Sequence, residues 1–266
     1  MRRLVYALAA FLALGAVVLA RAEAADFELQ EARAQLSPTG KLRAAFLLTN
    51  PALVTGQQGG EVRGLVGDLA RAIAERIGVP LQPRIYSTRG TFESSLGRGE
   101  WDIELDTRSA RYASFVDYSA NFATIDQVYL VGPGKTLKEL AEVDRKGVRV
   151  ATTENSDAEG IIFGTIKEAQ ILRVPPESEK AISLLKSGAA EVFGDSAEYL
   201  AGIAAQMPGT RFLPGRFATV PVAIGVARGR PAALALVNQF LQEAKASGLI
   251  KRSIERAHLH GVSVAP

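Results

Sequence analysis

Residues 41–107 read KLRAAFLLTNPALVTGQQGGEVRGLVGDLARAIAERIGVPLQPRIYSTRGTFESSLGRGEWDIELDT, and the order of periodicities in this stretch decides the fold. KLRAAFLL (41–48) is a compact apolar run that reads as a strand. GLVGDLARAIAERIG (64–78) then places Val66, Leu69, Ile73 and Ile77 on one helical face, with Gly78 as its terminator. LQPRIYS (81–87) is a second strand, TFESSLG (91–97) a short helix stopped by Gly97, and WDIELDT (101–107) a third strand. Strands that alternate with helices in this way predict a mostly parallel sheet with covering helices.

Downstream the pattern restarts. GPGKTLKELAEVDRKG (132–147) reads as a turn followed by a short amphipathic helix. Strands follow at GVRVATT (147–153), AQILRVP (169–175), AAEVFGD (189–195) and TRFLP (210–214), with helices at DAEGIIFGTIKEA (157–169), SEKAISLLKSG (178–188) and SAEYLAGIAAQ (196–206). That is a second α/β lobe. PVAIGVARG (221–229) is strand-like, and PAALALVNQFLQEAKASG (231–248) starts a helix at Pro231 with Leu234, Val237 and Leu241 on one face. So short a tail makes no third domain and is expected to return to the first lobe. The resulting organisation is lobe 1 over 25–128 plus 222–266 and lobe 2 over 129–221, with two hinge crossings near Gln127–Val131 and Phe217–Pro221. Ligands of open α/β sheets lie at the carboxyl ends of strands, so two such lobes define a cleft that closes by hinge motion.

The amino terminus bears on the compartment. Arg2 and Arg3 precede an apolar run from Leu4 to Ala20 that ends in small residues, the pattern of a cleaved secretory signal peptide over 1–24. The run falls short of the ~20 residues a spanning helix needs. Small-x-small sites at Ala20-Arg21-Ala22 and Ala22-Glu23-Ala24 start the mature chain at Glu23 or Ala25. Loss of Arg2, Arg3, Arg21 and Glu23 lowers the formal charge from +3 to about +1. With no basic stripe, nucleic acid is not an expected partner. The chain has no cysteine, so a fold of this length is held by its core rather than by disulfides.

Candidate site residues cluster at 100–122, EWDIELDTRSARYASFVDYSANF. Glu104 and Asp106 alternate with Ile103 and Leu105 and share one face of the strand, which then runs into Arg108 and Arg111. The two carboxylates either restrain these arginines or read a cationic group on a ligand. Trp101 reads as core. Asp195 ends a strand and opens a helix, as an N-cap would. Asn155 and Ser156 precede a helix whose free N–H groups suit an anion.

The order of these pieces resembles the extracellular solute-binding proteins of bacterial ABC importers, family 3, the group that includes polar amino acid binders. The resemblance rests on GKLRAAF, GLVGDLARAIAERIG, GRGEWDI, FVDYSANF, GVRVATTENS and AAEVFGDSAEYL in that order. It implies a two-lobed type II periplasmic binding protein fold, a small-molecule ligand such as an amino acid, a membrane permease as partner, no cofactor, and a monomer in the periplasm. It also implies an arginine just upstream of Val116-Asp117-Tyr118 that holds the ligand carboxylate by a guanidinium fork. The family's place for that residue holds Tyr112 here, so the role falls to Arg108, at the strand end, or Arg111. Asp195 would take the ligand's amino group. Asn50 and Tyr86 would line the cleft from the first two strand ends, Tyr86 as the stacking aromatic.

Other scaffold relatives are periplasmic enzymes of the cyclohexadienyl dehydratase type, in which Glu104 or Asp106 would serve as general acid or base, or sensors and accessory proteins. Motifs for other enzymes are thin. GDSA (194–197) lacks the Gly-x-Ser-x-Gly pattern, the histidines are His258 and His260 near the end, and there is no P-loop.

Overall fold

The computed structural model describes residues 26–266, so the signal-peptide reading for 1–24 lies outside the described residues. Residues 26–36 are helical (α1) and send Ala32 and Leu36 into the core. Strand β1 (Leu42–Leu47) and a small hairpin, β2 (Gly56–Gln58) and β3 (Glu61–Arg63), lead to helix α2 (Leu65–Ile77). The hairpin was not legible as such, although Gly59 and Gly60 supply its left-handed turn at φ 60° and 85°. Helix α2 buries Val66, Leu69, Ile73 and Ile77, and Gly78 ends it in the left-handed conformation with its N–H on the last carbonyls.

Strand β4 (Leu81–Tyr86), helix α3 (Arg89–Glu93) and strand β5 (Ile103–Thr107) follow. Helix α3 starts two residues before TFESSLG because the Thr88 hydroxyl caps the Thr91 N–H. Next come β6 (Val116–Tyr118) and the long β7 (Ala123–Val131), then β8 (Arg149–Thr153), α4 (Asp157–Thr165), β9 (Gln170–Val174), α5 (Ser178–Lys186), β10 (Val192–Ser196) and α6 (Ala197–Ala205). The chain ends with β11 (Arg211–Phe212), β12 (Ala218–Ala227), α7 (Pro231–Ala246), α8 (Leu249–Arg256) and β13 (Val262–Val264).

The expected amphipathic helix in 132–147 is only a 3-10 turn at Leu140–Glu142. Side chains there hold the backbone in other ways. Glu142 accepts from the N–H groups of Lys138 and Glu139, and the Asp144 carboxylate accepts from those of Lys167, Glu168 and Ala169. The same Asp144 contacts engage the segment just after α4, which stops at Thr165 rather than running to Ala169.

The main sheet runs β4-β1-β5-β12-β7-β10-β8-β9, with β6 on β12 and β11 and β13 on β7. It is mixed rather than mostly parallel. Pairs β1·β4, β1·β5, β8·β9 and β8·β10 are parallel, whereas β5·β12, β12·β7 and β7·β10 in the middle are antiparallel. Strand β7 explains the switch, because residues 123–127 pair with β12 and residues 127–131 with β10. The hydrophobic interior divides at that strand. One core draws on α1, β1, α2, β5, the start of β7, β12, α7 and α8, and includes Phe46, Leu69, Ile103, Phe122 and Phe240. The other interior, around Leu130, Val150, Ile162, Phe193 and Leu213, is built from residues after 127 and before 218. Each such side chain contributes ~1.5–3 kcal/mol on burial, so each half holds its own sheet edge firmly.

Candidate ligand cavity

The parallel strands of both halves aim their carboxyl ends at one place. After β1 comes Asn50, after β4 Arg89, after β8 Asn155 and Ser156, and at the end of β10 Asp195. All of them line a cavity of about 450 Å³ that also takes Gln127 from β7. That volume lies within the ~300–1,000 Å³ typical of small-molecule sites. Because the wall is shared, a ligand there touches both halves.

Electrostatics of the cavity centre on Arg89, which the sequence reading missed. It is the one Lys or Arg side chain among the described residues that lines the cavity. The signal was the arginine directly beyond the Tyr86-Ser87 strand end, overshadowed by the more conspicuous pair after β5. Its Nη2 stands 3.8 Å from Asp106 Oδ2, and its Nη1 reaches the Tyr112 hydroxyl at 3.4 Å. Burial works against its charge, yet Asp106, Tyr112 and Asp157 outweigh that and raise its pKa. Asp106 is held in turn by Asn50, whose Nδ2 donates to Oδ1 at 2.8 Å.

The opposite wall is acidic. Asp157, the first residue of α4, is pushed up by burial and by Asp106, against Arg89 and Thr107. Asp195 is only 7% exposed, and burial lifts its pKa to about 6, while Thr153 and the Ser196 N–H beside it pull the other way. It accepts from that N–H at 2.7 Å. It does not cap α6, because the Ser196 hydroxyl does so, accepting from the Tyr199 N–H. That bond also accounts for the serine of GDSA. Tyr199, whose hydroxyl is pushed to about 12 by burial and by Asp195, lines the cavity as well. Gln127 Oε1 is buried here with no hydrogen-bond partner among the described residues. Unmet polar atoms of this kind are open to a polar ligand.

Asn155 and Ser156 are both on the wall, each engaged locally. Asn155 takes a left-handed backbone at φ 59° and its N–H donates to Glu159, while the Ser156 hydroxyl caps the Glu159 N–H. Five expected site residues do not line the cavity, among them Asp106, which is buried beside Arg89 and Asn50. Arg108 is exposed and sets its guanidinium over the Tyr118 ring, 5.3 Å from the centroid. Arg111 is 70% exposed and pairs with Glu93 at 3.3 Å. Tyr86 is packed edge-on against Phe92, with its hydroxyl donating to Glu100 at 3.3 Å, so it is wall support rather than a stacking face.

Glu104 is off the cavity surface too. It is 2% exposed, its Oε1 has no partner among the described residues, and burial followed by the neighbouring Asp106 charge puts its pKa well above the usual carboxylate range. Gly225 on the facing strand makes its room, since a Cβ there would lie 2.3 Å from Oε1.

The family description of bacterial extracellular solute-binding proteins, family 3, matches residues 42–259. Among solved structures, the chain is similar to a binding component of an ABC transporter from Wolinella succinogenes complexed with lysine. The two are 23% identical over 82% of this chain and 95% of that one, with a TM-score of 0.71. A solute receptor for L-cysteine of Neisseria gonorrhoeae is 17% identical over 88% and 99% of the respective chains, with a TM-score of 0.71. An ancestral amino acid-binding protein, a precursor of cyclohexadienyl dehydratase, is 21% identical over 84% and 97%, with a TM-score of 0.69. Likenesses at this level establish a shared fold, that of type II periplasmic binding proteins. No curated protein matches.

Proposed function

Since the chain belongs to family 3 of the bacterial extracellular solute-binding proteins, we propose that it is a periplasmic receptor that captures an amino acid between its two halves and delivers it to an ABC importer permease. The observation that carries this reading is the cavity shared by both halves, with one guanidinium and a ring of carboxylates on its wall. A zwitterion offers both signs of charge within one small molecule and so matches such a wall. Lysine and L-cysteine, the ligands named for two of the similar structures, are both of this class.

The lobes of the working receptor are 25–128 plus 222–266 and 129–221, hinged where β7 and β12 run side by side. The separate cores on either side of those strands support that division. Ligand stabilises the closed form only in proportion to its preference for it, and residues on both walls supply that preference. Asp195 takes the ligand's ammonium. The receptor works as a monomer.

A thermal-shift screen of the protein against amino acids, carboxylates and amines tests the reading, because a ligand bound only by the folded state raises the melting temperature with log concentration. A saturable shift with an amino acid recovered unchanged is the expected result. Release of an altered product would replace the receptor with an enzyme on the same fold, and no shift with any compound class would remove the solute-binding reading.

A further inference from the structure

Among the described residues one cationic side chain lines the cavity, and it is not one of those that follow β5. Arg108 lies over Tyr118 and Arg111 pairs with Glu93, both exposed, and neither lines the cavity. Arg89 does. A guanidinium carries a planar fork of N–H donors matched to a carboxylate. In this structure the Arg89 fork makes a single hydrogen bond among the described residues, the long 3.4 Å contact to the Tyr112 hydroxyl. Its approach to Asp106, 3.8 Å, is too long for a hydrogen bond. Charge balance without donor satisfaction leaves the fork of this partly exposed side chain available to a carboxylate.

The surroundings fix the fork in that position. Thr88 caps the turn that carries Arg89, and Asn50 holds one Asp106 oxygen, Oδ1, at 2.8 Å while the other, Oδ2, stands 3.8 Å from the guanidinium, so the carboxylate is held beside the fork without occupying it. Tyr112 is in turn tied to Glu93 at 2.8 Å. Across the cavity stand Asp157 and Asp195. An anion alone would be opposed by the charges of Asp106 and Asp157, both of which act on Arg89. An α-amino acid brings its ammonium next to its carboxylate and offsets them.

We propose that Arg89, on the first turn of α3, is the residue that holds the ligand's carboxylate, in place of the arginines after β5. This rests on the solute-binding reading and adds to it the position of the anion subsite. A carboxylate taken there by a bidentate pair would be read against its loss, so the site would prefer an amino acid to the amine that lacks the carboxylate.

The test is titration calorimetry with two matched pairs of probes, lysine against cadaverine and arginine against agmatine. The proteins are the wild type, Arg89→Ala, Arg89→Lys, Arg108→Ala and Arg111→Ala, with circular dichroism melts to show that each is folded. The wild type is expected to bind at least one amino acid more tightly than its amine. Arg89→Ala should lose on the order of a hundredfold in affinity for that amino acid while its amine affinity changes little, and Arg89→Lys, which keeps the charge but not the fork, should fall between. Arg108→Ala and Arg111→Ala should stay within about threefold of wild type.

Equal losses for acid and amine in both Arg89 variants would reduce the residue to a structural part. A loss confined to Arg108→Ala or Arg111→Ala would return the subsite to the segment after β5. A wild type that binds amines but neither amino acid would overturn the Arg89 assignment while leaving a solute receptor. Where none of the four binds, the matched pair becomes the amino acid that raises the melting temperature and its decarboxylated amine, and a protein that binds no amino acid would overturn the amino acid reading, and with it this one.

Discussion

Asp195 should make the empty protein less stable than it need be, and by an amount that depends on pH. Burial raises its folded-state pKa from 3.8 to about 6. For an acid a raised folded-state pKa means that the fold binds the proton more tightly than the unfolded chain does. The stability this contributes is therefore complete below about pH 4 and is lost as pH rises through 6. A rise of that size corresponds to roughly 3 kcal/mol once the group is ionised in both states. Asp195→Asn keeps the shape, and its amide oxygen can still accept from the Ser196 N–H that Asp195 now holds at 2.7 Å. The variant should thus be more stable than wild type by about 3 kcal/mol at pH 7.5, with the gap closing toward zero by about pH 3.5. Urea unfolding followed by circular dichroism measures it. Tryptophan fluorescence would not serve, because the sole tryptophan, Trp101, packs in the other half of the molecule. A gap that is the same at every pH would refute the argument. The same variant should bind an amino acid about 2–5 kcal/mol more weakly, since an ammonium would face a neutral amide.

Other perturbations follow from the packing. Gly225→Ala would drive a methyl group to 2.3 Å from the fully enclosed Glu104 carboxyl, and should cost about 1–3 kcal/mol in denaturant unfolding. Gly194→Ala meets Ile162 at 2.6 Å and Tyr129 at 2.7 Å inside the second core, with a loss of about the same size and a lower melting temperature. Asp102, fully buried, accepts from Arg43 Nη2 and Arg230 Nη1, both at 2.8 Å. Its replacement by Ala would strand two arginines at one site and should destabilise by about 3–5 kcal/mol, whereas a neutral result would mean that water replaces the carboxylate at no cost.

The legibility of this chain in its sequence follows the range of the forces involved. Local periodicity found β1, α2, β4, β5 and the α/β elements of the second half, because apolar faces and glycine stops are written within a few residues, as Val66, Leu69, Ile73 and Gly78 are. Where a side chain reaches far along the chain to fix backbone, the reading failed. Asp144 accepting from the N–H groups of 167–169 is such a case, and the expected helix on 132–147 is not formed. The antiparallel middle of the sheet was also hidden, since β5, β7 and β12 meet from distant parts of the chain. The site shows the same limit. Asn50, Asn155, Ser156 and Asp195 fit the strand-end rule, joined by the helix-start pattern and the family resemblance, and the structure brings all four to one cavity. The rule gives no rotamer, so it could not tell that Arg108 turns onto Tyr118 while Arg89 faces inward.

The distribution of charge across the cavity also bears on closure itself. Asp106 belongs to the half built around β5, and Asp157 and Asp195 to the half built around β8 and β10. Bringing the halves together sets these carboxylates against each other, and Asp106 already raises the pKa of Asp157 in this structure. Arg89 between them offsets only one negative charge. In the receptor we propose, closure without a ligand would therefore work against the unbalanced carboxylates and become harder as pH rises past about 6, the value to which burial lifts Asp195. A ligand ammonium removes the imbalance, so the free energy that opposes empty closure is recovered as preference for the occupied closed form. Neutralising the far wall with Asp195→Asn would then raise the closed fraction of the empty protein while weakening capture. Small-angle scattering of the ligand-free variant at pH 7.5 should show a smaller radius of gyration than wild type, and an unchanged radius would mean that the carboxylates do not govern the resting conformation.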